Sequence, residues 1–469
     1  MGSNPATEMT SPESRSEGKA LRARVPRKAQ AGWRPSPDRR DAVAILEEQA
    51  ESRVKELVPI RYGRMLASPF AFYRGAAAIM AADLAGTPTS GLQVQLCGDA
   101  HLVNFGIFAA PDRRLVFDVN DFDETLRGPW EWDLKRLAAS VAVAARDRGF
   151  PSSGRVAAAR SSASAYRESM WRFAGMRTID VWYDRLDVQE QSASWAAPPD
   201  SGRRRKLDRT VAKARVNDNL RAFEKLTHEL DGTPRIVSDP PLIVPLEDLL
   251  DAEQARRVQR ELLQILQRYR KSLGSDRRHL LDGYRPVHLA RKVVGIGSVG
   301  TRAWVALLLG HDRNDPLFLQ IKEAGRSVLE PFAAPSPFAS GGRRVVEGQR
   351  LMQAASDTML GWLHVTTDLD GLPRDYYVRQ LWDLKASAPI ASLSQRELIA
   401  YAALCGSTLA RAHARSGDRD AIAAYLGKSD SFEQAIGSFA ETYAGQNERD
   451  FEALAEAVRN GSVLAETGR

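Results

Sequence analysis

The densest group of chemistry-bearing residues is GDAHLVNFG at 98–106, followed closely by FDVNDFDE at 117–124. Asp99, Asn104, Asp118 and Asp121 are short oxygen-bearing side chains set around what reads as a tight hairpin. Oxygen donors grouped in this way suit a hard divalent cation that shares its shell with phosphate. Carboxylates beside apolar strand residues are also costly unless a cation or partners balance them. Asp and Asn cap turns too, so turn chemistry is the plainer reading of the same residues. An EF-hand calcium loop is excluded, because Phe122 takes a ligand position and no glycine follows where that loop turns sharply.

A second group lies some 200 residues later. GIGSVG at 295–300 has the spacing GxGxxG, with Gly295, Gly297 and Gly300 around Ser298. In a dinucleotide-binding fold this motif opens a long helix, whereas AWVALLL is cut at Gly310 and bounded by the turn HDRND. A strand-loop-strand arrangement fits better, with backbone amides free to approach phosphate, and a simple glycine-rich turn is the alternative. The next strand carries Lys322 in LFLQIKEA, either as a phosphate ligand or as a snorkelling edge lysine. Glu347, in RRVVEGQRLMQ, is the nearest helical acid that could pair with Lys322 and by itself reads as a surface acid. Arg74 in SPFAFYRG stands beside aromatics, which allows a cation-π or surface role as well as bidentate contact with phosphate.

The elements that must position these residues follow from periodicity. Leu92, Val94 and Leu96 alternate with Gln93 and Gln95 as a strand running into the first cluster, and RRLVFDVND reads as a second strand. In WEWDLKRLAASVAVAAR, Leu134, Leu137, Val141 and Ala144 share one face of a buried helix. Residues 155–280 read as mostly helical, interrupted by a loop at 197–202, a basic run from Arg203 to Lys206 and a Pro-rich stretch. From Arg285 the pattern becomes three successive strands, then a helix near Arg343–Ala355 and a strand DYYVRQL. Ser394 and Glu397 form a capping box for a helix through Arg415, and a last helix covers about 430–460.

The chain of 469 residues is long enough for two or three domains, at about 150 residues each, or one large two-lobed domain. Its 66 Lys and Arg against 59 Asp and Glu leave a net charge of +7. Residues 1–40 hold five of those seven charges, so they read as a disordered basic tail, and no nucleic-acid partner is expected for the folded part. Cys97 and Cys405 are too few for a disulfide framework and lack the spacing of a zinc site. No signal-like segment and no run of roughly 18 apolar residues is present, so a cytoplasmic chain without a membrane span is expected.

GDAHLVNFG resembles the HGDxHxxN catalytic loop of aminoglycoside-phosphotransferase-like enzymes, the relatives of protein kinases. The resemblance implies that Asp99 orients the acceptor hydroxyl and that Asn104 and Asp118 hold Mg²⁺. GPWEWDLKRLA resembles a later segment of the same enzymes, which places Asp133 behind the catalytic loop, with His101 and Asp121 in supporting positions. GIGSVG, Lys322 and Glu347 resemble the glycine-rich loop, the phosphate-binding lysine and its glutamate partner, which implies ATP as the other ligand. Cys97 stands where the first His of the motif would be. The order is also rearranged, because the nucleotide-binding elements follow the catalytic loop and the helix ending LARAHARSGD lies some 300 residues after the strand it should lead into.

The resemblance therefore implies an α+β, two-lobed, circularly permuted kinase-like fold with a large helical lobe and a small antiparallel β-rich lobe. After the tail, its parts are a helical lobe with the catalytic hairpin at 41–284, the nucleotide-binding lobe at 285–390, and C-terminal helices at 391–469 that complete the helical lobe. The GDxHxxNFG, FDxNDFDE and SPFAFYRG segments together also resemble an uncharacterised bacterial family of unknown function. The activity implied is phosphoryl transfer from ATP to a small-molecule or protein hydroxyl, with nucleotidyl transfer as a variant. The alternatives are a non-catalytic, pseudokinase-like nucleotide-binding protein and a metallophosphoesterase-type hydrolase, whose first metal block GDAH also resembles. Against the hydrolase, the seven histidines are scattered singly and no GNH block occurs.

Overall fold

The computed structural model describes residues 11–188, 219–293, 295–381 and 384–468. The loop at 197–202, the basic run from Arg203 to Lys206 and residues 1–10 of the basic tail lie outside these. The described chain is an α+β protein with antiparallel sheets. Its thirteen described strands are β1 (Gln93–Leu96), β2 (Phe105–Ala109), β3 (Leu115–Val119), β4 (Leu126–Pro129), β5 (Leu186–Asp187), β6 (Thr227–Leu230), β7 (Thr233–Ile236), β8 (Ile243–Pro245), β9 (Arg285–Lys292), β10 (Ala303–Leu309), β11 (Pro316–Glu323), β12 (Gly361–Val365) and β13 (Arg374–Gln380).

The largest sheet has the order β12-β13-β11-β10-β9-β8. β10 and β11 are continuous apolar runs because both of their faces are covered. Trp304, Ala306 and Leu308 of β10 enter one hydrophobic cluster with Tyr269, while Val305, Leu307 and Leu309 enter another with Ala222 and Leu226. This is the period-2 alternation of a strand buried on two sides. Register pairs Ala303 with Lys322 across β10 and β11, and Lys322 with Tyr377 across β11 and β13. The sheet takes in β8, so the β-rich unit begins upstream of residue 285.

The main core belongs to helices. Trp130–Asp147 is buried nearly all round, not along one face, because Ser152–Ala174, Gln395–Ser416 and Ser431–Arg459 all pack against it. Trp130 stacks on Tyr166 with centroids 5.5 Å apart. The capping box of Ser394 and Glu397 is formed. That helix ends against β1, where the Gln95 amide donates to Ser416 Oγ at 3.1 Å.

Two expectations are corrected. The strand pairing around the acidic cluster differs, because β1 pairs with β4, and the hairpin is built from β2 and β3. Phe105–Ala109 escapes an alternation test because every residue of it is buried. The segment before residue 41 is ordered from Ser11 onward, with a helix Ser11–Arg24 against Arg419–Leu426. Leu21, Gln30 and Trp33 are buried there, and Arg15 pairs with Asp420 at 2.8 Å. A few anchors in a polar segment suffice, since Trp33 alone meets the Tyr443 ring edge-on at 5.0 Å.

Trp33→Ala is expected to destabilise the protein by about 3–5 kcal/mol, the usual loss for a buried tryptophan. Urea unfolding measures it, and an unchanged midpoint would mean that the segment is a dispensable tail.

Candidate functional site

A cleft of about 340 Å³ runs between the helical part and the six-stranded sheet. Asp99, His101, Asn104, Asp121, Asp123 and Glu124 line it from one side, and Gly295, Gly297 and Ser298 from another. Arg53, Arg61 and Arg74, from the helical segment before β1, line it as well. A groove of about 940 Å³ elsewhere is larger, but its Arg39 is already paired with Asp83 at 2.7 Å and Asp450 at 2.6 Å.

The loop bearing Asp99 is held from behind. Asp133, on the buried helix, accepts hydrogen bonds from the amides of Cys97 at 2.8 Å and Gly98 at 3.0 Å. His413 Nε2 lies 3.2 Å from the same carboxylate, and its Nδ1 is 2.8 Å from the Tyr166 hydroxyl. Gly98 has φ +86°, and a Cβ there would sit 2.3 Å from the Glu124 carbonyl oxygen, so only glycine fits the turn. One turn along that helix, Arg136 donates to Asp99 Oδ1 at 2.9 Å and to the Tyr73 carbonyl at 2.8 Å. The Asn104 side chain donates to the Asp99 carbonyl at 2.8 Å.

His101 accepts the Val103 amide on Nδ1, which caps the short turn Leu102–Asn104. Burial pushes its pKa down to about 4; Asp99 pulls the other way, with Arg136 and Arg74 reinforcing the drop. A neutral, loop-structuring imidazole results.

Across the cleft, Lys322 Nζ donates to Asp123 Oδ2 at 2.8 Å and lies 3.8 Å from Asp121. The Tyr377 hydroxyl reaches the other Asp123 oxygen at 2.5 Å, and Ser298 Oγ of the glycine-rich loop reaches Oδ2 at 3.2 Å. Burial pushes the Asp123 carboxyl up, but Lys322 and Tyr377 outweigh it and hold the group down at about 2. Burial likewise works against the Lys322 cation, and Asp121 with Asp123 holds it above its ordinary value. Asp121 is displaced upward by burial and by the charge of Asp123.

Several expected site residues meet in this cleft: Asp99, His101, Asn104 and Asp121, together with Gly295, Gly297 and Ser298, and Lys322 reaches in to Asp121 and Asp123. Gly300 lies just outside, where its carbonyl accepts the Val54 amide at 2.8 Å. Two residues stand elsewhere. Asp118 is buried 3.1 Å from Arg411 and does not line the cleft, because strand alternation turns it toward the helix Gln395–Ser416. Glu347 is half exposed beside Arg350 at 3.8 Å, and Lys322 is held by Asp123 instead. The helix Gly341–Met352 touches the acidic loop through Arg344, which donates to the carbonyls of Asp123 at 2.8 Å and Thr125 at 2.6 Å. Asp123, Arg136 and Arg344 are thus site residues that sequence reasoning missed. Arg136 carried a usable signal, three residues after Asp133 on the same helix face.

Fold and cleft together define an α+β protein in which a lysine-bearing antiparallel sheet faces two acidic loops of a helical lobe. Residues 53–457 match the model of a family described as an uncharacterized protein conserved in bacteria, DUF2252, and the chain belongs to that family. Neither the curated proteins nor the solved structures gave a match. No helix among the described residues is long and apolar enough to cross a membrane.

Glu124 provides a titration handle on the cleft. Burial pushes its carboxyl up to about 7 against the pull of Arg344, from an ordinary value of 4.5. The folded chain then keeps a proton that the unfolded chain has released, so this group's contribution falls as pH climbs from about 4.5 toward 7. Glu124→Gln is expected to gain stability relative to wild type as pH rises from 5 to 8, read from urea midpoints. A difference that stays constant over that range would contradict the assignment.

Proposed function

We propose that this protein is a Mg²⁺- and ATP-dependent phosphotransferase acting on a hydroxyl acceptor, with the cleft working as a kinase-like site in circularly permuted order. The observation that carries the reading is Lys322: a buried lysine on an inner strand, following a glycine-rich loop, with its ammonium on the acidic loop that faces Asp99 and Asn104. The order strand, glycine-rich loop, strand, lysine strand, helix, two strands in residues 285–380 supports it. So does the contact between Ser416 and Gln95, which sets the end of the helix Gln395–Ser416 beside the strand leading into Asp99. A single chain rearrangement joins the two in the order the resemblance calls for.

In this reading Lys322 and the loop amides bind the nucleotide phosphates. Asp121 and Asp123, with Asn104, offer the oxygen donors that suit magnesium, and this moves the metal role away from Asp118. Among the described residues no group of three His, Cys, Asp or Glu is placed to hold a metal ion, so in this reading phosphate and water would have to supply the remaining ligands. Bound Mg²⁺ would neutralise charge on the phosphates. Asp99, fixed through one oxygen by Arg136, keeps the other for the acceptor hydroxyl. The acceptor oxygen bonds to the γ-phosphorus, the bond to the β-phosphate oxygen breaks, the hydroxyl proton passes to Asp99, and ADP leaves. The chain's contribution is positioning and fixed charge.

Thermal unfolding with ATP and Mg²⁺, each alone and neither, tests the reading. Ligand at 100 times its dissociation constant adds about 2.7 kcal/mol, so the pair should raise the midpoint. Asp121→Asn is expected to lose that shift and Asp118→Asn to keep it, although the latter starts less stable. A metal shift without any ATP shift would favour the hydrolase, and release of pyrophosphate instead of ADP would make the reaction nucleotidyl transfer.

A further inference from the structure

The cleft that holds the acids is also lined by arginines that the nucleotide reading leaves unused. Arg61 is wholly buried; its Nη2 donates to Gln49 and to the Gly75 carbonyl, both at 3.0 Å, while Nε and Nη1 are buried without a partner. Arg53 donates through Nη1 to the Val299 carbonyl at 2.5 Å, and its Nε is buried without a partner. Arg74 donates no hydrogen bond to any described residue, its Nε is buried, and its guanidinium lies close enough to Asp99 and His101 to act on both electrostatically. None of the three forms an ion pair with a carboxylate among the described residues.

Buried cations that no carboxylate contacts directly are costly unless something fills the space between them. Burial depresses all three, and in Arg61 the neighbouring Arg53 adds to the effect, against a lesser pull from Glu124 on Arg53, from Tyr62 and Glu47 on Arg61 and from Asp99 on Arg74. Guanidinium forks match phosphate geometry, and three of them exceed what one carboxylate would neutralise. The wall also has a fixed seat relative to the transfer chemistry. A Cβ on Gly297 would lie 3.3 Å from the Arg74 carbonyl, so the glycine-rich loop rests on this segment.

We propose that Arg53, Arg61 and Arg74 form an anion subsite for the acceptor, and that the acceptor is a hydroxyl compound already bearing a phosphate monoester. The proposal rests on the phosphotransferase reading for the word acceptor, and on the arginine wall alone for the phosphate. Arg74, beside Asp99, holds the phosphate end so that the hydroxyl end meets the carboxylate.

The experiment is calorimetric titration of the full chain with inorganic phosphate, with glycerol 3-phosphate, with glycerol and, separately, with ATP and Mg²⁺, in wild type, Arg74→Gln and Arg74→Lys. The Arg74 side chain makes no hydrogen bond to any described residue, so both variants should fold, and the unliganded unfolding midpoint checks this. Phosphate and glycerol 3-phosphate are expected to bind wild type and glycerol not to. Arg74→Gln should weaken both by about tenfold to a hundredfold, the loss of one charged hydrogen-bonding group. Arg74→Lys should recover only part, and ATP with Mg²⁺ should bind all three proteins within about twofold.

Phosphate affinity unchanged in Arg74→Gln, or absent from wild type, overturns the subsite. An equal loss of phosphate and of ATP affinity overturns it too, by assigning the arginines to the nucleotide. Arg74-dependent phosphate binding with no ATP binding in wild type supports the anion site and overturns only the transferase reading.

Discussion

The ion pair between Lys322 and Asp123 is the constraint on which the cleft depends. A lysine only 3% exposed on an inner strand must have an anionic partner, and the partner here comes from the other part of the molecule. Removing one member of such a pair leaves a buried charge at a cost of about 3–5 kcal/mol. The pair therefore fixes the distance between the six-stranded sheet and the loop after β3. Tyr377, the register partner of Lys322, donates to the same carboxylate, so the sheet itself sets the angle of approach.

Around that pair, the remaining groups hold their charges still. The Asp99 loop hangs on Asp133 through two amides, and Asp133 is in turn met by His413 and, behind it, Tyr166. Arg344 anchors the acidic loop by its carbonyls, not its carboxylates, which leaves the acids facing the cleft. Groups fixed in advance need little reorganisation when charge develops between them, and this is the main resource of a site that works by electrostatic positioning. Arg53, Arg61 and Arg74 add the opposite charge to the same cleft, so it offers groups for a cation and for an anion.

The elements with strong local signals were legible in the sequence: the capped helix Gln395–Ser416, the strands β10 and β11, and the loop from Asp99 to Asn104. What stayed hidden depended on contacts remote in sequence. Spacing alone offers Asp118 and Asp121 as equivalent acids, and only strand alternation with Arg411 behind it separates them. Glu347 is the first acid of the helix that follows Lys322, but Asp123, 199 residues away, is the acid that holds the lysine. The segment before residue 41 reads as a tail because its packing rests on a few residues such as Leu21 and Trp33 within a polar stretch. Arg61 carries no motif at all, and its meaning comes from burial without an ion pair among the described residues.

The central claim is that the Lys322–Asp123 pair marks where nucleotide phosphates bind. A crystal structure with Mg²⁺ and a non-hydrolysable ATP analogue tests it most directly. The account predicts phosphate oxygens on Lys322, a metal ion on Asp121 or Asp123, and the Asp99 carboxylate facing the γ-phosphate. A nucleotide bound outside this cleft, or a cleft whose lysine still contacts only Asp123 with the nucleotide present, would contradict it.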